Sequence, residues 1–263
     1  MKRLVIVILV FFVLLFLTLP NPSALDLDFT ELNAQGYKNS KQLQISQIPI
    51  LMYHSISDIG GVYSELCVSP SSFSKQMDYL LDSGYSTITF HGLLDYIEGN
   101  KPLPEKPIIL TFDDGYLDNY KNAFMAMRER AMVGVVYPYI NKIGTENGLS
   151  KDQLLKMQEQ GWEIGSHTIT HLDLTSLTDR QLKNEVYESK VKLKEMFDSD
   201  VVSVCYPAGR YNDKVVEFSK SAGYLFGVTT SYGKADLEEN LLELSRIRIN
   251  RSDTLATFVK KVN

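Results

Sequence analysis

Two adjacent carboxylates, Asp113 and Asp114, close the run Thr111-Phe112-Asp113-Asp114-Gly115, where an apolar stretch from Pro107 to Phe112 enters a glycine turn. Side chains at a strand end are released from the alternation of the pleat, so both carboxylates can reach one cavity. About fifty residues on, Trp162-Glu163-Ile164-Gly165-Ser166-His167-Thr168-Ile169-Thr170-His171 ends a second short strand in two imidazoles spaced i, i+4, which one helical turn would bring to the same side. One carboxylate and two imidazoles supply the three protein ligands of a hydrolytic metal site and leave a fourth position open. The second carboxylate is then free to act as a base on the water that the metal activates. Without a cation between them, two such carboxylates at one place repel each other. They are also too close to flank a glycosidic bond at the roughly 5–9 Å separations that glycoside hydrolysis needs, which argues against a two-carboxylate glycosidase.

Other polar residues are weighed against this cluster. His54 ends the apolar run Pro49-Ile50-Leu51-Met52-Tyr53, and its place at a strand C-terminus beside the metal cluster points to an acid role rather than a hydrogen-bonded rim residue. His91 opens a helix after Phe90 without a partner motif and reads as an N-terminal capping or surface residue. Arg246 and Arg248 alternate with Ile247 and Ile249, so both arginines project to one face of a last strand. If that face is interior, a buried guanidinium needs a carboxylate, and Asp113 is available. Trp162, Tyr116 and Tyr137 are sugar-stacking platforms or core; Trp162, inside a strand, reads as core, and Tyr116, just past the turn, as a residue of the groove. Cys67 and Cys205 belong to no metal-ribbon or redox spacing and read as two separate buried thiols.

The elements that must position these groups alternate regularly. Candidate strands are Ile48–Tyr53, Ser86–Phe90, Ile108–Phe112, Val133–Tyr137, Trp162–Ser166, Val201–Tyr206, Tyr224–Thr229 and Leu244–Ile249. Between them, Ser72 to Leu81 puts Phe73, Met77, Leu80 and Leu81 on one helical face, and Ser150-x-x-Gln153 and Thr178-x-x-Gln181 are capping-box starts. The second opens a long helix through Leu182, Val186, Leu193 and Phe197, and Gly84, Gly161 and Gly223 stand where helices should stop. Strict βα alternation without a dinucleotide-type glycine fingerprint predicts an α/β fold, a closed or distorted (β/α) barrel of seven to eight parallel strands rather than an open sheet. His54, Asp113, Asp114, His167 and the Pro207-Ala208-Gly209 turn all fall just past strand ends, where barrel sites lie.

The chain has 263 residues, 44% of them hydrophobic, and a net charge of −5, which suits one large domain and argues against a nucleic-acid partner. Met1-Lys2-Arg3 followed by the apolar Leu4 to Leu19 has the form of a signal peptide or membrane anchor over residues 1–24. Pro22 stands where a small residue should precede Ala24 at a cleavage site, so an uncleaved anchor stays open. Residues 25–47, rich in Gln, Asn, Ser and Lys, read as a polar linker, and residues 48–263 as the catalytic domain. An extracellular location is expected, with membrane attachment possible through the N-terminal segment.

Taken in order, Thr111-Phe112-Asp113-Asp114-Gly115, Ser166-His167-Thr168-Ile169-Thr170-His171 and Tyr206-Pro207-Ala208-Gly209 resemble the motifs of the polysaccharide deacetylase family of metal-dependent carbohydrate esterases. The resemblance runs from about Ile48 to the C-terminus. It implies a distorted (β/α) barrel in which Asp113 is the general base and Asp114, His167 and His171 hold one divalent metal ion, zinc first, with cobalt and nickel as alternatives. The family's third motif has an arginine, two prolines and a tyrosine where this chain has Cys205, Tyr206, Pro207, Ala208 and Gly209. Arg246 is the expected substitute for that arginine, and the oxyanion donor survives as the backbone N–H of Ala208, which needs no side chain. The family's C-terminal histidine motif is absent. Met52-Tyr53-His54-Ser55 resembles instead the N-terminal Tyr-His of the poly-N-acetylglucosamine deacetylase branch, which implies His54 as the acid. The implied reaction removes N-acetyl groups from an extracellular N-acetylglucosamine polymer. Peptidoglycan or chitooligosaccharide deacetylation, O-acetyl ester hydrolysis and non-catalytic carbohydrate binding on the same barrel are the alternatives.

Overall fold

The computed structural model describes residues 45–58 and 64–263, so the signal or anchor segment and most of the polar linker lie outside the described residues. Eight strands build the main sheet: β1 (Ile50–Tyr53), β2 (Ser86–Thr87), β3 (Pro107–Asp114), β4 (Val135–Pro138), β5 (Glu163–Ile164), β6 (Ser203–Cys205), β7 (Phe226–Tyr232) and β8 (Leu244–Arg248). Their order is β5-β4-β3-β1-β8-β7-β6, every neighbouring pair is parallel, and β2 pairs with the first residues of β3. The sheet curls until its edge strands meet at one parallel bridge, Ser166 to Val204. This is the α/β distorted barrel expected from the alternation, with seven staves and β2 as a short eighth strand.

Six longer helices alternate with the strands: α1 (Pro70–Asp82), α2 (Phe90–Ile97), α3 (Lys151–Glu159), α4 (Asp179–Phe197), α5 (Asp213–Ser221) and α6 (Leu255–Val262). α1 starts two residues before the expected Ser72, because Ser69 caps it and Pro70 fits its first turn. Phe73, Gln76, Met77 and Leu80 form its buried face, while Leu81 is exposed, contrary to the sequence pattern. The polar Gln76 is accommodated there because its side-chain oxygen accepts a hydrogen bond from the Tyr53 hydroxyl at 2.9 Å. Both capping boxes form: the Gln153 oxygen accepts from Ser150 N–H while Ser150 Oγ accepts from Gln153 N–H, and the Gln181 oxygen accepts from Thr178 N–H.

Alternation along β3 sorts its side chains. Ile108, Leu110 and Phe112 join the larger apolar cluster with residues of α1, α3, α4 and α6, whereas Ile109 joins a second cluster with Ile50, Val135, Tyr137, Cys205, Val228 and Leu244. Phe90 and Leu93 of α2 belong to this second cluster. Two small ladders flank the sheet: Gln47–Ile48 runs antiparallel to Ala235–Asp236, and Ser55–Ile56 parallel to Cys67–Val68. No disulfide joins Cys67, which is half-buried, to the buried Cys205. No helix among the described residues is long and apolar enough to cross a membrane.

Because all staves run the same way, their C-terminal ends share one rim, and Gly115 is the pivot there. It has φ +66, and a Cβ on it would lie 2.7 Å from Pro138 Cβ and 2.9 Å from Pro138 Cα. Gly99 has a similar φ of +76 but nothing within 4 Å of its would-be Cβ. Gly99→Ala should therefore cost about 1 kcal/mol, from backbone conformation alone, and Gly115→Ala on the order of 1–3 kcal/mol more, from the forced shift of Pro138. Urea denaturation of both variants checks this, and equal losses would rule out the Pro138 contact as the cause.

Candidate active site

Asp113, the seventh residue of β3, follows the pleat into the barrel, but Asp114 does not continue it. Its φ of +68 turns the backbone left-handed and sends the second carboxylate to a different set of partners. Asp114 Oδ1 lies 3.3 Å from Nε2 of His167 and 3.3 Å from Nε2 of His171. Burial works against the ionised form of Asp114, but hydrogen bonds from His167 and His171 outweigh it and hold the carboxyl far below its usual range. His167, just past β5, is fully fixed: its Nδ1 lies 2.6 Å from the Cys205 carbonyl oxygen. A carbonyl only accepts, so Nδ1 carries a proton, and Nε2 is the ring nitrogen turned toward Asp114.

The two imidazoles converge, though not through the expected helical turn. Residues 167–171 are irregular, with bends at 169 and 170 and left-handed φ of 70° at Thr168 and 62° at His171, and the rings lie 4.7 Å apart at 79°. Positive φ at a β-branched threonine is a rare conformation. Among the described residues, four of the six non-glycine residues with positive φ, Asp114, Thr168, His171 and Ala208, sit at this rim, and such strain concentrates at functional sites. Two atoms bound about 2.0–2.1 Å from a tetrahedral zinc are separated by about 3.3 Å, which is the spacing observed here. One carboxylate and two imidazoles therefore fit a divalent ion of borderline softness. A second convergent set, Asp113, His167 and Cys205, fits less well, because both Asp113 oxygens are engaged elsewhere and burial pushes the Cys205 thiol toward its neutral form.

What engages Asp113 is Arg246, 1% exposed and projecting inward from β8. Its Nη1 donates to Asp113 Oδ1 at 2.7 Å and to Thr111 Oγ1 at 2.9 Å, and its Nη2 to Asp113 Oδ2 at 2.8 Å and to Cys205 Sγ at 3.4 Å, while Nε donates to the Thr229 carbonyl at 2.8 Å. All five guanidinium donors have partners. Burial pushes the Asp113 carboxyl up, but the charge and hydrogen bonds of Arg246 pull it down further, so it stays ionised. Arg248, the other member of the alternation, is exposed. His54 Nε2 lies 3.8 Å from Asp113 Oδ2, and burial lowers the imidazole pKa against the opposing pull of Asp113 and Asp114.

Ala208 follows β6 in a tight turn with φ 52° and ψ 18°. Within residues 205–210 the N–H groups of Cys205, Tyr206, Gly209 and Arg210 each donate to a carbonyl, whereas that of Ala208 donates to no group among the described residues. Tyr116 is half-buried beneath the Lys142 ammonium, 3.6 Å from its ring centroid, and the Tyr139 ring lies 5.6 Å from that of His171. Trp162 is buried, as expected of a core residue, and Tyr137 is buried with it.

Several residues around the site escape a motif-based reading. The segment carrying His54 is held by the turn after β3: Asp118 accepts from Ser55 Oγ at 2.6 Å and Ile56 N–H at 3.0 Å, and Asn119 donates to the His54 carbonyl at 2.6 Å. Asn119–Phe124 is π-helical, an irregularity that recurs at functional sites. Glu185 of α4 binds the loop between the two histidines, and its sequence signal is an acid on the buried stripe of an amphipathic helix. His91 is not the cap of α2, a role taken by Thr89. Its N–H and Nδ1 reach Glu163 Oε2 at 2.9 and 3.0 Å, so it has a buried acidic partner that local sequence does not reveal.

The family described as Polysaccharide deacetylase matches residues 100–227, a span that contains Asp113, Asp114, His167, His171 and Ala208 but neither His54 nor Arg246. YxkH of Bacillus subtilis (strain 168), named as a provisional polysaccharide deacetylase, is 35% identical over 205 residues, covering 78% of this chain and 72% of that protein. The poly-beta-1,6-N-acetyl-D-glucosamine N-deacetylase of Escherichia coli (strain K12) is 22% identical, with 81% of this chain matching 38% of that protein. Among solved structures, the Streptococcus pyogenes deacetylase PplD in complex with acetate superposes with a TM-score of 0.78 at 27% identity, covering 82% of this chain and 98% of that one.

Removing one half of the buried Arg246–Asp113 pair leaves the other uncompensated. Arg246→Met should therefore destabilise the fold by about 3–5 kcal/mol, and adding Asp113→Leu should restore part of the loss. The depressed folded-state pKa of Asp113 fixes the sign of the pH effect: its contribution is present above the ordinary carboxylate value and fades as pH falls toward the depressed one. Denaturant curves at neutral and acid pH check both statements. A double variant no more stable than Arg246→Met would exclude the stranded carboxylate as the cause.

Proposed function

This chain belongs to the polysaccharide deacetylase family, and on that premise we propose that it hydrolyses N-acetyl groups on an extracellular N-acetylglucosamine polymer and releases acetate. The activity itself, deacetylation of a polysaccharide by an amide hydrolase, follows from the family. The observation that carries the finer reading is the division of labour between neighbouring carboxylates: Asp114 faces two imidazole nitrogens at 3.3 Å while Asp113 is held apart by Arg246. The polymer is suggested by the N-acetylglucosamine polymer named for the Escherichia coli relative. The apolar stretch from Leu4 to Leu19 behind Lys2 and Arg3 supports an extracellular place of action, secreted or anchored at the membrane.

Asp114, His167 and His171 would hold the divalent ion, zinc first, which when bound supplies Lewis acidity and brings the pKa of a water to about 7. Asp113 takes the proton of the attacking water, oriented for this by both arms of the Arg246 guanidinium. The Ala208 N–H donates to the oxyanion that forms as the water oxygen bonds to the acetyl carbon. His54 enters neutral, since burial lowers its pKa, and so must acquire a proton before it can give one. Asp113, 3.8 Å from His54 Nε2, is the nearby source, at a separation that a small side-chain movement closes. His54 then protonates the departing nitrogen, the C–N bond breaks, and acetate and a free amine part.

Asp113→Asn should keep metal affinity while turnover falls about 10²–10⁴-fold. His167→Ala should lose metal and turnover together. Metal analysis coupled to acetate release from poly-N-acetylglucosamine and from peptidoglycan tests the reading. Chelation should abolish release and added Zn2+ restore it. Release from peptidoglycan alone would overturn the substrate, and release from neither polymer by the loaded protein would favour a carbohydrate-binding barrel.

A further inference from the structure

The four residues 168–171 must hold two imidazoles at one spacing while two of them, Thr168 and His171, adopt left-handed backbone. Such conformations cost on the order of 1–3 kcal/mol each and persist only where the surroundings enforce them. What enforces them here comes from α4. Glu185 lies on the helix face that also buries Leu182, Val186 and Ser189, and it is 3% exposed. Its Oε2 accepts from the N–H groups of Ile169 and Thr170, both at 2.9 Å, and its Oε1 accepts from Thr170 Oγ1 at 2.6 Å. No lysine or arginine pairs with this carboxylate among the described residues, so its partners are these three donors of the loop. One turn along the same helix, Ser189 Oγ accepts from Ser166 Oγ at 2.9 Å, and Ser166 Oγ accepts from Thr168 N–H at 3.2 Å. The stretch between the two histidines is thus tied to α4 at two points, the stronger being a buried carboxylate with charge-assisted hydrogen bonds.

We propose that Glu185 is a positioning residue that sets the separation of the His167 and His171 imidazoles and thereby the affinity for the metal. This rests on the reading of Asp114, His167 and His171 as metal ligands. Glu185 itself stays off the reacting atoms. Outer partners that orient ligands typically contribute about 10–100-fold in metal affinity. Glutamine can reproduce the clamp: its carbonyl accepts both N–H groups, and its amide donates to the Thr170 hydroxyl, which turns to accept. Alanine cannot.

The test measures Zn2+ affinity by competition with a chromogenic chelator, and amide hydrogen exchange at Ile169 and Thr170 in the metal-free protein, for the full chain and for Glu185→Ala and Glu185→Gln. Melting curves keep all assays below unfolding. Glu185→Ala should bind Zn2+ about 10–100-fold more weakly and lose protection at both amides, while Glu185→Gln stays near the parent in both. A purely structural role would lower the melting temperature without this split in affinity. Parent-like Zn2+ affinity or unchanged amide protection in Glu185→Ala overturns the inference alone. A parent chain that binds no Zn2+ overturns the metal reading and the inference with it.

Discussion

The fork of Arg246 around both oxygens of Asp113 is the interaction on which the site depends. Two carboxylates adjacent in sequence, at the mouth of a largely apolar barrel, would raise each other's pKa and drive one toward the neutral acid. Arg246 prevents this for Asp113 from inside the barrel, with three further acceptors, on Thr111, Thr229 and Cys205, taking up its remaining donors. Asp114 is then left to the imidazoles. A guanidinium suits this position because its planar donors match the two carboxylate oxygens, which an ammonium group does not do.

Around that pair, the chain reaches its geometry by departing from regular structure at each critical residue. Asp114 leaves the pleat, Thr168 and His171 turn left-handed, and Ala208 does the same at the start of a turn. Bonds from neighbouring elements fix the segments around them: the Cys205 carbonyl holds His167, Glu185 the loop that follows, Asp118 and Asn119 the His54 segment. The barrel supplies a common rim, and these bonds supply the final orientation.

Much of this is legible in the sequence because it is local. The βα alternation, the two capping boxes and the carboxylate and histidine pairs are patterns within a few residues, and the structure brings Asp113, Asp114, His54, His167, His171 and Arg246 to one rim. What local pattern misses depends on distant partners. Gln76 replaces Leu81 on the buried face of α1 because Tyr53 offers it a hydrogen bond. His91 finds Glu163, 72 residues away. The i, i+4 spacing of His167 and His171 reads as helix, yet the acid on α4 that captures the intervening backbone holds it in bends. Glu185 itself looks like one more charge on a long helix until its register with Leu182 and Ser189 is considered.

The seam between β5 and β6 carries a further consequence. There the barrel closes through Ser166 N–H to the Ser203 carbonyl and Cys205 N–H to the Ser166 carbonyl, and the His167 ring adds its own bond to the Cys205 carbonyl. The residue that offers a nitrogen to an ion thus also laces the sheet shut. A cation seated between the end of β3 and the end of β5 would hold the His167 ring whose other nitrogen bonds across that join, and any species that binds only the folded chain draws the equilibrium toward it. Loading the site and completing the cylinder would then be two views of one cooperative event.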